Sequence, residues 1–156
     1  MPVTEAGPTD ERPPFRFAVR TRVDFSDTDA GGILYYGRFA NYFDKAAVAY
    51  RRHLGLGLLG APGHLYVMRA LGVEYHASAR FDDELQVFVR TARIGRTSQT
   101  LELRVERPDD DGPVHLADGR ITVVGVDAYA TGRPSPVPAE VRAVVTAFEG
   151  PGLEGG

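Results

Sequence analysis

One stretch of this chain, from about Tyr35 to Leu54, carries apolar residues at helical spacing, and it limits what the rest can build. Phe39, Phe43, Ala46 or Ala47, Tyr50 and Leu54 recur every three or four positions, and no proline interrupts them. The pattern predicts a long helix with one apolar stripe, which must be buried against another element. The segments around it alternate with a period of two. Phe17, Val19, Thr21, Val23 and Phe25 predict a first strand within residues 15–25, with one buried face.

Four further strands are predicted at roughly 65–76, 84–94, 98–107 and 114–127, after a glycine-rich reversal over 55–63. Val87, Val89 and Thr91 keep the two-residue period, as do Leu101, Leu103 and Val105. The links Gly95-Arg96-Thr97 and Pro108-Asp109-Asp110-Asp111-Gly112-Pro113 are too short for a parallel crossover, so these strands should be antiparallel neighbours. A short last helix is predicted after Pro138, through Val141, Val144, Val145 and Phe148. The order predicts an α+β domain over residues 14–149, with one long helix against a curved antiparallel sheet. Residues 1–13, rich in Pro, Glu and Gly, read as a loose N-terminal segment, and residues 150–156 as a flexible tail. One helix covers one face of such a sheet, and pairing through its edges would protect open backbone groups. A homodimer or a larger assembly is therefore expected.

The 156 residues suit a single core, and a 43% hydrophobic share can fill it. With no cysteine, the chain has no disulfide, no Cys-based zinc site and no thiol nucleophile. The formal net charge of -3 argues against a broad nucleic-acid surface, though a local basic patch for a phosphorylated small molecule is compatible with it. Neither a membrane-spanning run nor a secretory leader is legible, which predicts a cytoplasmic protein. There is no Gly-x-Ser-x-Gly elbow and no phosphate loop ending in Gly-Lys-Ser/Thr. His53, His64, His76 and His115 make no zinc-like spacing, so no metal site is predicted.

Chemistry concentrates between the first strand and the long helix, in Asp27-Thr28-Asp29-Ala30-Gly31-Gly32. A short carboxylate in such a turn can cap free backbone N–H groups, or it can do acid–base or nucleophilic work. Continuing through Ile33-Leu34-Tyr35-Tyr36 to Phe39, Asn41-Tyr42-Phe43-Asp44 and Ala46, the segment resembles the opening motif of the 4-hydroxybenzoyl-CoA thioesterase family. The likeness extends through the order of elements over roughly residues 15–148, with its specificity mainly in residues 27–44.

That resemblance implies a hotdog fold, in which the helix is the sausage and the sheet the bun. It also implies dimers, often assembled into tetramers, with active sites near subunit interfaces. The activity implied is hydrolysis of an acyl-CoA thioester to free acid and CoA. No cofactor is needed, because coenzyme A is part of the substrate. The family's functional carboxylate corresponds to Asp29, and the backbone N–H that polarises the thioester carbonyl corresponds to Tyr36. Asp29 would attack the carbonyl or activate water, and the sequence leaves both routes open. Many short-chain members carry His at the position of Tyr36, so an aromatic acyl group is preferred here.

Around these two, Gly31 and Gly32 would let acyl-CoA approach the backbone, or merely shape the turn. Tyr35 is a candidate for the acyl pocket, with packing the plainer alternative. Asp27 most simply holds the loop. Arg38 departs from the small or amide residue common in relatives; it can face solvent, pair with Asp29 or Asp44, or meet a substrate anion. His64 opens a strand and could approach the pocket, while Arg93 and Arg96, flanking a turn, are candidates for the CoA phosphates. Two alternative functions stay open: release of an acyl group from an acyl carrier protein, and non-catalytic binding of acyl thioesters.

Overall fold

Helix α1 spans Phe39–His53 in the computed structural model, which describes residues 3–156. Met1 and Pro2 of the expected lead-in lie outside the described residues. The stripe read from the sequence is the buried one: Phe39, Tyr42, Phe43, Ala46, Ala47, Ala49 and Tyr50 all face inward. Three alanines let the sheet approach the helix, and the aromatic rings fill the space beside them. Truncating the fully buried Phe43 to alanine would cost about 3–5 kcal/mol. The helix begins later than predicted, because Tyr36–Arg38 is a tighter 3-10 turn that leads directly into it.

The strands are β1 (Glu5–Pro8), β2 (Phe17–Arg22), β3 (Gly60–Ala61), β4 (His64–Tyr75), β5 (Glu84–Ile94), β6 (Ser98–Arg107) and β7 (Val114–Val126), and α2 (Ala139–Glu149) follows them. They form one sheet in the order β1-β2-β5-β6-β7-β4-β3. Every pairing in it is antiparallel. Leu85, Val87 and Val89 of β5, Leu101, Leu103 and Val105 of β6, and Ile121 and Val123 of β7 alternate onto the core around α1. This is the α+β hotdog arrangement: one long helix wrapped by a curved antiparallel sheet.

The other sheet face carries charge in ordered rows. Glu102 of β6 accepts from Arg90 on one neighbour at 2.9 Å and from Arg120 on the other at 2.9 Å. Glu106, only 1% exposed, is held by Arg12 at 2.6 Å and Arg104 at 2.8 Å. A carboxylate buried this far must be paired, because an isolated one would titrate or unfold the site.

Both ends of the chain are more ordered than the composition suggests. Residues 5–8 of the predicted loose segment pair with β2 as an edge strand, where Pro8 needs no outward donor. The predicted flexible tail docks: Ile94 N–H donates to the Glu154 carbonyl at 2.9 Å, and Glu154 N–H donates to Ala92 at 3.0 Å. Backbone pairing with a distant strand leaves no trace in local composition. No helix among the described residues is long and apolar enough to cross a membrane.

Candidate active site

After β2 the chain makes a 3-10 turn at Phe25–Asp27, and the two acids that follow have opposite surroundings. Asp27 is buried. Its Oδ2 accepts from the Tyr42 hydroxyl at 2.7 Å, and that hydroxyl accepts from Asp24 N–H at 3.1 Å. Burial and the adjacent Asp27 carboxylate raise the Tyr42 hydroxyl well above its ordinary value, so it remains a donor. The Asp27 carbonyl also accepts from Tyr35 N–H at 2.8 Å. Asp27 therefore ties the loop to α1.

Asp29 is exposed at the tip of the same loop. Its backbone closes the turn, donating to the Ile33 carbonyl at 2.9 Å and accepting from Gly32 N–H at 3.0 Å. Its Oδ1 accepts from Gly31 N–H at 2.8 Å and, at a longer 3.4 Å, from Ile33 N–H. The second oxygen, Oδ2, has no protein partner among the described residues. Gly32 adopts φ +75, a left-handed conformation that favours glycine, and a Cβ at Gly31 would stand 3.1 Å from Asp29 Oδ1. The paired glycines thus serve the turn that presents Asp29.

A cleft of about 300 Å³ opens beside this carboxylate, lined by Asp29, Ile33, Leu34, Tyr36, Phe39 and the 75–78 segment. Tyr36 begins the 3-10 turn, where the first N–H groups have no carbonyl one turn behind them. Its carbonyl accepts from the Tyr75 hydroxyl at 2.8 Å. The Tyr75 ring meets Phe39 edge-on at 5.3 Å and Tyr36 at 6.4 Å, giving the cleft an aromatic wall. Tyr35 stacks on Tyr36 at 4.4 Å without lining the cleft. A larger recess of about 470 Å³ lies near the charged rows, between Phe15 and Arg120, and none of the predicted site residues lines it.

The other candidates stand apart from the Asp29 carboxylate. Arg38 is half exposed to solvent, and its nearest acid is Asp27, with Nε 3.9 Å from Oδ1, rather than Asp29 or Asp44. His64, Arg93 and Arg96 are not brought to Asp29 within the chain. His64 begins β4 and Arg96 sits in the β5–β6 turn, whereas the cleft meets the other end of β4 at Tyr75. His64 is 2% exposed, its ring edge-on to Tyr66 at 5.8 Å, and burial lowers its imidazole below the ordinary value. Arg93 is exposed beside Glu154, and the Arg96 carbonyl accepts from Val137 N–H at 2.8 Å.

The sequence also missed part of the site. Phe39 was legible only as core, Tyr75 and His76 only as the end of a strand, and Ser78 lay in the link beyond it. Their place opposite Asp29 depends on strand register, which the pattern does not encode. In the same way, the scattered histidines conceal a cluster: the fold brings His76 and His115 to Asp118.

The chain belongs to the thioesterase superfamily, whose sequence profile matches residues 31–114. The acyl-CoA thioesterase YbgC of Haemophilus influenzae is 30% identical over 132 residues, covering 81% of this chain and 92% of that protein. Among solved structures, a thioesterase superfamily protein from Jannaschia sp. CCS1 matches with a TM-score of 0.83 at 20% identity, covering 96% of this chain and 97% of its own. The 4-hydroxybenzoyl-CoA thioesterase of Pseudomonas sp. strain CBS-3 matches with a TM-score of 0.73 at 20% identity, over 81% of this chain and 96% of its own. These last two likenesses bear on the fold.

Proposed function

We propose that this protein hydrolyses acyl-CoA thioesters to free acid and CoA, with Asp29 as the working carboxylate. The observation that carries the assignment is an exposed acid with one unengaged oxygen, sharing an aromatic cleft with the opening N–H of the α1 segment. Kinship with a curated acyl-CoA thioesterase supports the same chemistry. The Tyr36 N–H takes the thioester oxygen, where negative charge develops as the carbonyl carbon becomes tetrahedral. Asp29 Oδ2 then adds to that carbon, the C–S bond breaks, CoA leaves as thiolate, and water hydrolyses the mixed anhydride. In the competing route Asp29 takes a proton from water, whose oxygen forms the new C–O bond as the C–S bond breaks and CoA leaves as thiolate. The walls of Tyr36, Phe39 and Tyr75 favour a flat aromatic acyl group.

A second copy of the chain completes this reading. Beyond its short pairing with β3, β4 offers a free edge with Met68, Leu71 and Tyr75 exposed beside it. We propose that a second copy pairs along this edge, and that Arg96 of the partner subunit serves a CoA phosphate at the cleft.

The assignment is tested by thiol release from aromatic, short-chain and long-chain acyl-CoAs and from acyl carrier protein, using the native chain and Asp29→Asn. Hydrolysis of an aromatic acyl-CoA that collapses in the variant is the expected result. Undiminished turnover by Asp29→Asn would remove Asp29 from the mechanism. Incorporation of solvent oxygen label into the Asp29 carboxylate during turnover separates direct attack from water activation.

A further inference from the structure

We propose that His76, His115 and Asp118 form a binding site for one divalent transition-metal ion of the zinc class, at the rim of the Asp29 cleft. His115 and Asp118 belong to β7 and His76 is the first residue after β4, its paired neighbour, and the ligand atoms of the three all lie within 4.8 Å of one another. His76 Nε2 is 2.9 Å from Asp118 Oδ2, and His115 Nε2 is 2.8 Å from Asp118 Oδ1. The two imidazole rings lie 4.4 Å apart, tilted by 36°.

The backbone has an irregularity that makes this convergence possible. Residues three apart on a regular strand point to opposite faces. In β7, however, the pairing with β6 passes from Ala117↔Val105 directly to His115↔Glu106, leaving Leu116 as the extra residue of a bulge. The bulge returns His115 to the side of Asp118. It also fixes His76, because the Leu116 carbonyl accepts from His76 N–H at 2.8 Å and from Ala77 N–H at 3.2 Å. One local distortion thus aims both histidines at one carboxylate.

Two imidazoles and one carboxylate form a donor set for zinc and its neighbours in the first transition row, whereas magnesium and calcium prefer oxygen ligands throughout. With bonds of about 2.0–2.1 Å, tetrahedral ligands stand about 3.3 Å apart, so the two histidine–carboxylate distances need open only by a few tenths of an ångström, within a set whose ligand atoms already lie inside 4.8 Å. Each histidine would ligate through Nε2, with its ring proton on Nδ1. Three protein ligands leave a fourth position for water, and the side chains are 38%, 29% and 41% exposed, which gives water access. His76 also lines the Asp29 cleft, so the ion would clamp that wall of the cleft to β7. The site does not depend on the thioesterase assignment.

Tag-free full-length protein, stripped with a chelator, is titrated with zinc by calorimetry and with cobalt(II) by visible absorption. The expected result is one ion per chain, the strong absorption of four-coordinate cobalt, and a rise in melting temperature with zinc. His115→Ala and Asp118→Asn should each weaken binding by about 100-fold or more and abolish the zinc-dependent rise. Circular dichroism of both variants verifies that the sheet persists, and His115→Gln serves if His115→Ala does not fold. Failure to bind zinc below millimolar concentration would overturn the site. So would binding that survives both substitutions, or magnesium competing equally with zinc.

Discussion

The two ends of the sheet treat their acids in opposite ways. At one end Asp29 stands in solvent on a glycine turn, with Oδ2 unengaged. At the other, Glu149 is 3% exposed, and its Oε1 accepts from the Tyr50 hydroxyl at 2.5 Å and from Thr91 N–H at 2.9 Å. Burial is the larger influence on Glu149 and raises its carboxyl above the ordinary value, against the lowering effect of those donors. The buried acid joins α1, α2 and β5. The exposed one joins little and is the group proposed to react. Stability rests on the buried carboxylate at one end, while at the other Asp27 holds the loop that presents Asp29.

Substitutions can break that division, and the largest effect belongs to the exposed end. Asp29→Asn should reduce thioester turnover by about 10²–10⁴-fold, with little change in melting temperature. The asparagine oxygen can still accept from Gly31 N–H, so the turn survives while the carboxylate chemistry does not. Glu149→Ala should do the reverse, costing about 3 kcal/mol in chemical denaturation, because the Tyr50 hydroxyl and Thr91 N–H lose a buried acceptor. Activity per folded molecule should hold. An Asp29→Asn protein that unfolds, or a Glu149→Ala protein that keeps its stability, would erase the contrast.

Tyr42→Phe sharpens the comparison from the middle. Removing the hydroxyl that serves Asp27 should cost about 2 kcal/mol and lower turnover by less than Asp29→Asn does. Stability and activity should therefore fall together in this variant alone. The smallest effect is a pH slope. The raised carboxyl of Glu149 contributes stability that is fully present below its unfolded value, near 4.5, and lost as pH rises through the folded value. Glu149→Gln keeps a neutral acceptor, so denaturation midpoints measured upward from pH 4 should show a flatter decline than the native chain.

The sequence made the elements legible because their signals are local. Alternation at Leu85, Val87 and Val89, or at Leu101, Leu103 and Val105, marks a strand wherever its partner lies. The long helix was visible for the same reason, although Tyr36–Arg38 takes the tighter turn. At the site, the Asp27–Gly32 loop stood out by composition, and Asp27 does hold it, though its carboxylate binds the Tyr42 hydroxyl where turn-forming backbone bonds were expected. What stayed hidden depends on register and distance. Tyr75 meets Phe39 only once β4 has paired with β7, and the His76 cluster needs a one-residue bulge. The distance of His64, Arg93 and Arg96 from Asp29 within one chain is likewise a matter of which end of a strand each occupies, which local composition does not encode.

Pairing between β2 and β5 also governs how the molecule can assemble. Arg20 and Glu84, joined at 2.7 Å, are 64 positions apart, and α1 with the whole of β4 lies between them. The β5–β6–β7 meander, linked by short turns, can form early, while β2 must wait for a long loop to close. Pulsed hydrogen exchange should therefore protect Val87, Leu103 and Ile121 before Val19. The Asp29 loop hangs from the late strand, so on the proposed assignment turnover should be the last property to return to the refolding chain.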